Sequence, residues 1–278
     1  MNSIVMLFIV LITLYPFWYC LVSSFSRIDT GSGFLLWPNG YTVGAYRILY
    51  NNRTVWSAYR NTMIRTVLGT ALALIFTALT AYPLSKKELP FRGFFTNYII
   101  FTMLFSGGII PSYLLIKNLG IMNTVWALVL PNLVGAYNVF IMRNFFRSIP
   151  ESLEESAMLD GAGWFTLLWR IIIPVSKPVF ATVALWILVW HWNSYFDAMV
   201  YIQDTDKTVL QVILRRISVE RNSMDVNALL SRLGQADRFP NLALECAMII
   251  VAVLPMIAIY PFVQKYFVKG IMIGSIKG

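Results

Sequence analysis

Six stretches of this chain, near residues 4–22, 63–84, 94–115, 125–141, 179–201 and 242–262, are apolar over a length that suits a lipid bilayer. A helix crossing the hydrocarbon layer needs about 17–25 mainly apolar residues. Inside that layer every backbone amide and carbonyl must find its partner within the protein, which leaves only helices and closed barrels. The stretches are continuously apolar rather than alternating, so helices are expected. Composition agrees: 58% of the 278 residues are hydrophobic and 13% are charged, against about a quarter charged in ordinary soluble domains. The expected fold is all-α and integral to the membrane, with six transmembrane helices in one domain over residues 1–278.

The first run lies at the N-terminus, where a cleavable signal peptide is the competing reading. It lacks a basic leading region, runs past the usual 7–15 apolar residues and is followed by no A-x-A site. It is expected to be retained as a span. Among the connections, the short one after the second run carries Lys86, Lys87 and Arg92, whereas the short one before the fourth carries Lys117. Short loops weigh most in the positive-inside rule, so the basic loop goes to the cytoplasm. That choice also puts both termini and residues 148–178 in the cytoplasm, and loops 23–61 and 203–241 outside. The long loops cut against it, since Arg27, Arg47, Arg53, Arg60, Arg215, Arg216, Arg221, Arg232 and Arg238 then fall on the outer side. Arg215, Arg216, Arg221, Arg232 and Arg238 suit snorkelling at the membrane edge, or an acidic ligand or docking protein.

Residues 148–178, SIPESLEESAMLDGAGWFTLLWRIIIPVSKP, are the one amphipathic, acidic stretch between two apolar runs. Ser148 and Glu151 fit a capping box, and Pro150 is tolerated in a first turn, so a short helix is expected from about Ile149. Leu153, Ala157 and Gly161 share a small apolar face, with Glu151, Glu154 and Glu155 on other faces. Gly161 can close the helix in the left-handed conformation. A second helix is expected over about 164–173, with Pro174 and Pro178 punctuating the next run. On periodicity alone the pair equally suits the headgroup layer.

The wording of the loop goes further. Glu155-Ser156-Ala157, three residues, Gly161, nine residues and Ile171-Ile172-Ile173-Pro174 resemble the E-A-A-x3-G-x9-I-x-L-P loop of ABC importer permeases. The departures are Ser156 for the usual Ala and Ile173 for the usual Leu, both small in volume. The resemblance implies a type I ABC importer permease fold in which this loop is a cytoplasmic coupling helix, seated in a cleft of an ATPase subunit through Glu155, Ser156, Ala157, Leu159, Asp160 and Gly161. The tail from Gln264 to Gly278 reads as a basic, flexible cytoplasmic end. It is also similar to the Lys-Gly-terminated tail of maltose-type permeases, which implies a place for Lys277 and Gly278 in the ATPase interface. With FSGGIIPSYLLIKNLG, HWNSYFDA and YPFVQKYFVKG the similarity runs through nearly the whole chain and is nearest to permeases for oligosaccharides, uronate-containing ones such as alginate or pectin fragments included.

Enzyme signatures are missing. There is no G-x4-G-K-[ST] phosphate loop, G-x-S-x-G elbow or H-E-x-x-H, and the single His191 cannot build a multi-histidine metal site. Cys20 and Cys246 each fall in a span, as small apolar thiols. The chain is therefore expected to be non-catalytic and to bind no cofactor, with ATP and Mg held by partner ATPases. Polar residues inside the runs mark the candidate substrate path: Asn132 and Tyr137 in the fourth, and His191, Trp192, Asn193, Tyr195 and Asp197 in the fifth. An ionised Asp at mid-bilayer costs about 2.5–3.5 kcal/mol on insertion scales, so Asp197 is expected near the outer end or beside a wet cavity. At 100° per residue His191 and Tyr195 share one face while Asn193 and Asp197 take nearly the opposite one, so one set should face the path and the other a neighbouring helix. Helix-to-helix hydrogen bonding is the alternative use of either set.

The resemblance implies an importer of oligosaccharides in a bacterial inner membrane. Its partners would be a second homologous permease, two ABC ATPases, an extracytoplasmic solute-binding protein and membrane lipids, with no nucleic acid. The competing function is a proton- or ion-coupled secondary transporter, with Asp197 and His191 as a relay; a membrane scaffold or receptor would need no polar path at all.

Overall fold

The computed structural model describes residues 2–28, 33–219 and 241–275, and among these the regular structure is helical apart from a single antiparallel bridge, Ser26 to Tyr41. Three helices are long and apolar enough to cross a membrane: Ser3–Ser24, Arg53–Ser85 and Leu242–Ile259. The count rises to six if each of three bent pairs is one span: Arg92–Leu104 with Ile109–Asn118 at 111°, Val125–Asn132 with Ala136–Arg147 at 53°, and Trp164–Val175 with Lys177–Asn193 at 84°. The breaks follow the sequence. Gly107-Gly108 lies in the first, with Gly108 at φ 85°; Pro131 and Gly135 flank the second; Pro174 and Pro178 bracket the third at Ser176.

The contacts group the chain into two compact units, Met1–Asn61 with Asp204–Ala258, and Thr62–Gln203 with Ile259–Gly278. In the first unit, α1 (Asn2–Ser24) leaves Ile4, Phe8 and Leu11 exposed, as a lipid-facing helix would. Its far end is tied down: Ser24 Oγ lies 2.7 Å from Tyr46 Oη on α2 (Gly44–Asn51), and Tyr15 Oη accepts from the Leu35 amide at 3.1 Å. Asn52 Oδ1 then caps α3 (Arg53–Ser85), accepting from the amides of Thr54 and Val55 at 2.7 and 3.2 Å. The described part of the loop expected at 23–61 is thus folded. Cys20 and Cys246 are not in a disulfide, and Cys20 Sγ donates to the Cys246 carbonyl oxygen at 3.6 Å.

The second unit holds α3 from Thr62 on, with α4 (Arg92–Leu104), α5 (Ile109–Asn118), α6 (Val125–Val129), α7 (Ala136–Arg147), α8 (Glu151–Leu159), α9 (Trp164–Thr166), α10 (Ile173–Val175), α11 (Lys177–Asn193) and α12 (Phe196–Tyr201). Ala73, Ala78 and Ala81 bring α3 close to Val139, Met142 and Phe146 of α7 and Val179, Val183 and Ile187 of α11; small residues permit such close approach in membrane bundles. The two ends of this unit are distinguishable. At one, the Asn123 amide donates to the Tyr201 carbonyl at 2.9 Å; at the other, the 86–92 connection meets α8 through Lys86 and Glu154. Connections expected on the same side of the membrane therefore touch one another.

Two local expectations change. The 164–173 helix runs to Val175, and its middle, Leu167–Ile172, is a π-helix. Pro174 has no amide to give the Arg170 carbonyl and its ring crowds that turn, and the wider winding just upstream accommodates it. The fifth expected run also breaks, at Ser194 with ψ 130°, before α12 resumes at Phe196.

Candidate functional site

That break decides what the polar residues can do. A continuous helix would have put Tyr195 and Asp197 on different faces; because the chain turns extended at Ser194, Asn193, Ser194, Tyr195 and Asp197 all line one open cavity of about 1050 Å³. The 100° rule fails here because it holds only while the winding is unbroken. Asn132, Trp186 and Trp190 complete the polar and aromatic part of the wall. Asn132 also lines a second hollow of about 400 Å³ with Tyr137 and Asn138, where Tyr137 packs on Trp186 with ring centroids 5.8 Å apart. Indole faces beside amides and a carboxylate give flat apolar surfaces to stack on and hydrogen-bonding groups between them.

His191 and Trp192 lie elsewhere. Each is 1% exposed, and neither lines the cavity. The imidazole rests on α3 at Gly69, where an added Cβ would run into the ring, and its edge meets Trp190 at 4.8 Å between centroids. Both hold packing positions off the cavity, and for His191 the face count along the unbroken α11 accounts for it: with Asn193 on the cavity, a side chain about 200° round the helix faces a neighbouring one.

Asp197 has a partner that the reading of the sequence missed. Arg65 on α3 is fully buried and grips both carboxylate oxygens, while its Nη1 also donates to the Ser194 carbonyl at 3.1 Å. The signal was available: a single Arg two residues inside an apolar run implies a carboxylate in another span.

At the opposite end, α8 presents the sequence-predicted docking residues. The capping box does not form. Pro150 occupies the position before the helix, with no side-chain cap, and Ser148 Oγ instead donates to the Phe145 carbonyl at 2.7 Å, finishing α7. The helix therefore starts at Glu151. Its inner face is not the apolar one either: Glu154 is buried at 8% exposure, bonded to Lys86 and accepting from Tyr82 Oη at 3.4 Å. A carboxylate can turn inward because Lys86 meets its charge. Leu153 and Leu159 are turned outward, Leu159 at 90% exposure.

Glu155, Ser156 and Asp160 are exposed and Ala157 is half-buried. Gly161 closes the helix as expected, with φ 85°. Its amide donates to the Met158 carbonyl at 3.0 Å and that of Ala162 to Ala157 at 2.9 Å, the Schellman pattern. Lys87 pairs with Glu151 at 3.0 Å, and that hydrogen bond and charge hold the Glu151 carboxyl below its ordinary range. Lys277 and Gly278 lie outside the described residues.

A membrane-embedded helical bundle with a polar cavity at one end and an exposed helical knob at the other is the build of a transporter subunit. The comparisons place it. Residues 2–273 match the family described as binding-protein-dependent transport system inner membrane component, and the chain belongs to that family. It is 41% identical to Protein LplC of Bacillus subtilis over 269 residues, 96% of this chain and 90% of the relative. It is 37% identical to the polygalacturonan/rhamnogalacturonan transport system permease protein YtcP of the same organism, over 98% of this chain and 96% of the relative. Among solved structures it is similar to a chain of a bacterial ABC transporter involved in the import of the acidic polysaccharide alginate, with TM-score 0.87, 34% identity, and 96% and 95% of the two chains covered.

Proposed function

We propose that this chain is the permease subunit of an ATP-driven importer for oligosaccharides, uronate-containing ones among them, with six spans, both termini in the cytoplasm and α8 as the helix on which an ATPase subunit pulls. The observation that carries the reading is α8 itself: the residues of the coupling-loop pattern stand exposed on a helix whose only buried side chain is a carboxylate tied to the 86–92 connection. Leu153 and Leu159 are turned away from the bundle, as apolar side chains left for a surface outside this chain to cover would be. The names and functions of the relatives support a sugar, and two of them an acidic one. Partners follow from the same reading: a second permease to close the path, two ATPases that hold ATP and Mg, and an extracytoplasmic binding protein.

Replacing Gly161 by Val tests it. The site has open space around it but a left-handed backbone, so the change strains the end of α8 without disturbing the core. The reconstituted complex is expected to lose ATPase association and uptake while the chain still folds. Uptake driven by a pH gradient in the absence of any ATPase would sink the importer reading and leave an ion-coupled carrier.

A further inference from the structure

The buried Arg65 does not line the cavity, yet it touches groups on both sides of the helix break. Where α11 stops, the Ser194 carbonyl loses the amide that a continuous helix would supply, and Arg65 Nη1 takes it. Where α12 starts, Asp197 Oδ1 accepts from the Ala198 amide at 2.9 Å and, with Oδ2, binds the two guanidinium nitrogens. The guanidinium carbon also sits 5.8 Å from the ring centroid of Trp190, which lines the cavity. A broken helix at membrane depth is tolerated only where a neighbour satisfies the freed backbone. Only a planar, forked cation can meet a carboxylate in two-point fashion and a carbonyl beside it.

We infer that Arg65 is a positioning residue for the transport path: by holding Asp197 and the Ser194 carbonyl together it keeps the α11–α12 break open, and so decides that Tyr195 faces the cavity together with Asn193 and Asp197. The ligand class, a hydroxyl-rich sugar, rests on the proposed function; the placement of the wall does not. With Arg65 removed, the cheapest way to satisfy Ser194 is to rewind the helix through it, which leaves Asn193 and Asp197 on one face and swings Tyr195 to nearly the opposite one, beside His191. The clamp also limits what the wall presents. Asp197 is the one charged side chain among the residues lining the cavity, and with two of its acceptor sites on Arg65 it offers what remains as a hydrogen-bond acceptor for sugar hydroxyls.

The test separates placement from transport. In a Cys20→Ala, Cys246→Ala background, Tyr195→Cys is labelled by a water-soluble maleimide in membranes containing the full complex, with and without Arg65→Gln. Labelling is expected to slow by about tenfold in the Arg65→Gln chain, the scale on which groups that merely orient a binding residue act, and Arg65→Lys should fall between. Because Arg65→Gln leaves Asp197 unpaired and can impair folding, the paired change Arg65→Met, Asp197→Leu serves as a second variant, since apolar replacements of a buried ion pair are often neutral for stability. That variant should assemble with its ATPases, and sugar-stimulated uptake should show a raised KM. Unchanged labelling in Arg65→Gln, or an unchanged KM in the paired variant, would overturn the inference. The expected labelling difference, found together with a wild-type complex that imports no oligosaccharide, would leave the clamp standing and defeat the function instead.

Discussion

The same helix, α3, takes part in an ion pair at its first half and hands over to two more just past its end, and the contrast between them is instructive. Arg65 and Asp197 have side chains 0% and 17% exposed, whereas Lys87 and Glu151 stand at 70% and 75%, with Lys86 and Glu154 between at 17% and 11%. A pair taken out of water is rigid and unforgiving, because losing one member strands the other. A pair in water is adjustable and nearly free to break. The cavity wall is thus fixed by chemistry that tolerates little change, and α8 is held by attachments graded from a firm inner one to a loose outer one.

Removing Asp197 should break the comparison hardest. Asp197→Ala leaves the Arg65 cation buried without a counter-charge, an expected loss of about 3–5 kcal/mol, read as a lowered melting temperature of the solubilised complex. Next comes Gly69→Val, which forces side-chain atoms into the space held by the His191 ring; overpacking of this kind costs about 1–3 kcal/mol on the same assay. Lys86→Met leaves Glu154 with Tyr82 alone and should cost about 1–3 kcal/mol, with a larger relative fall in uptake per ATP hydrolysed than Asp197→Ala produces. If Lys86→Met proved as damaging to stability as Asp197→Ala, the gradient between the two ends would be wrong.

Glu151→Gln should change stability and uptake least. Its carboxyl titrates below the ordinary value of 4.5 because of Lys87, so whatever the pair adds is present above that pH and fades as the pH drops through the lowered value. Wild type and Glu151→Gln are therefore expected to converge in acid and to differ only slightly, and less in high salt, at neutral pH.

Much of this was legible from composition and spacing. The apolar runs, the docking stretch and the glycine at its end were readable because each depends on residues near one another in the chain. The wall of the cavity was not, because it depends on Ser194 leaving the helix, and nothing between Trp192 and Asp197 is a proline or glycine that announces such a turn. The stimulus comes from Arg65, 129 residues away along the chain. The inward turn of Glu154 was hidden for the same reason: three acidic residues close together look alike until Lys86 selects one. The capping pattern at Ser148 failed for a local reason, since Pro150 ended one helix's reach and set the start of the next.

The contact between His191 and Gly69 carries a mechanical corollary. A ring seated in a notch made by a missing side chain is a peg, and one helical turn to either side the notch gives way to Arg65 or Ala73, where the peg has no room. Axial slip between these two helices is therefore blocked, while tilting about the peg is not. Any motion relayed from the knob has a fulcrum here, so a short stroke at one end of the lever becomes a swing at the other.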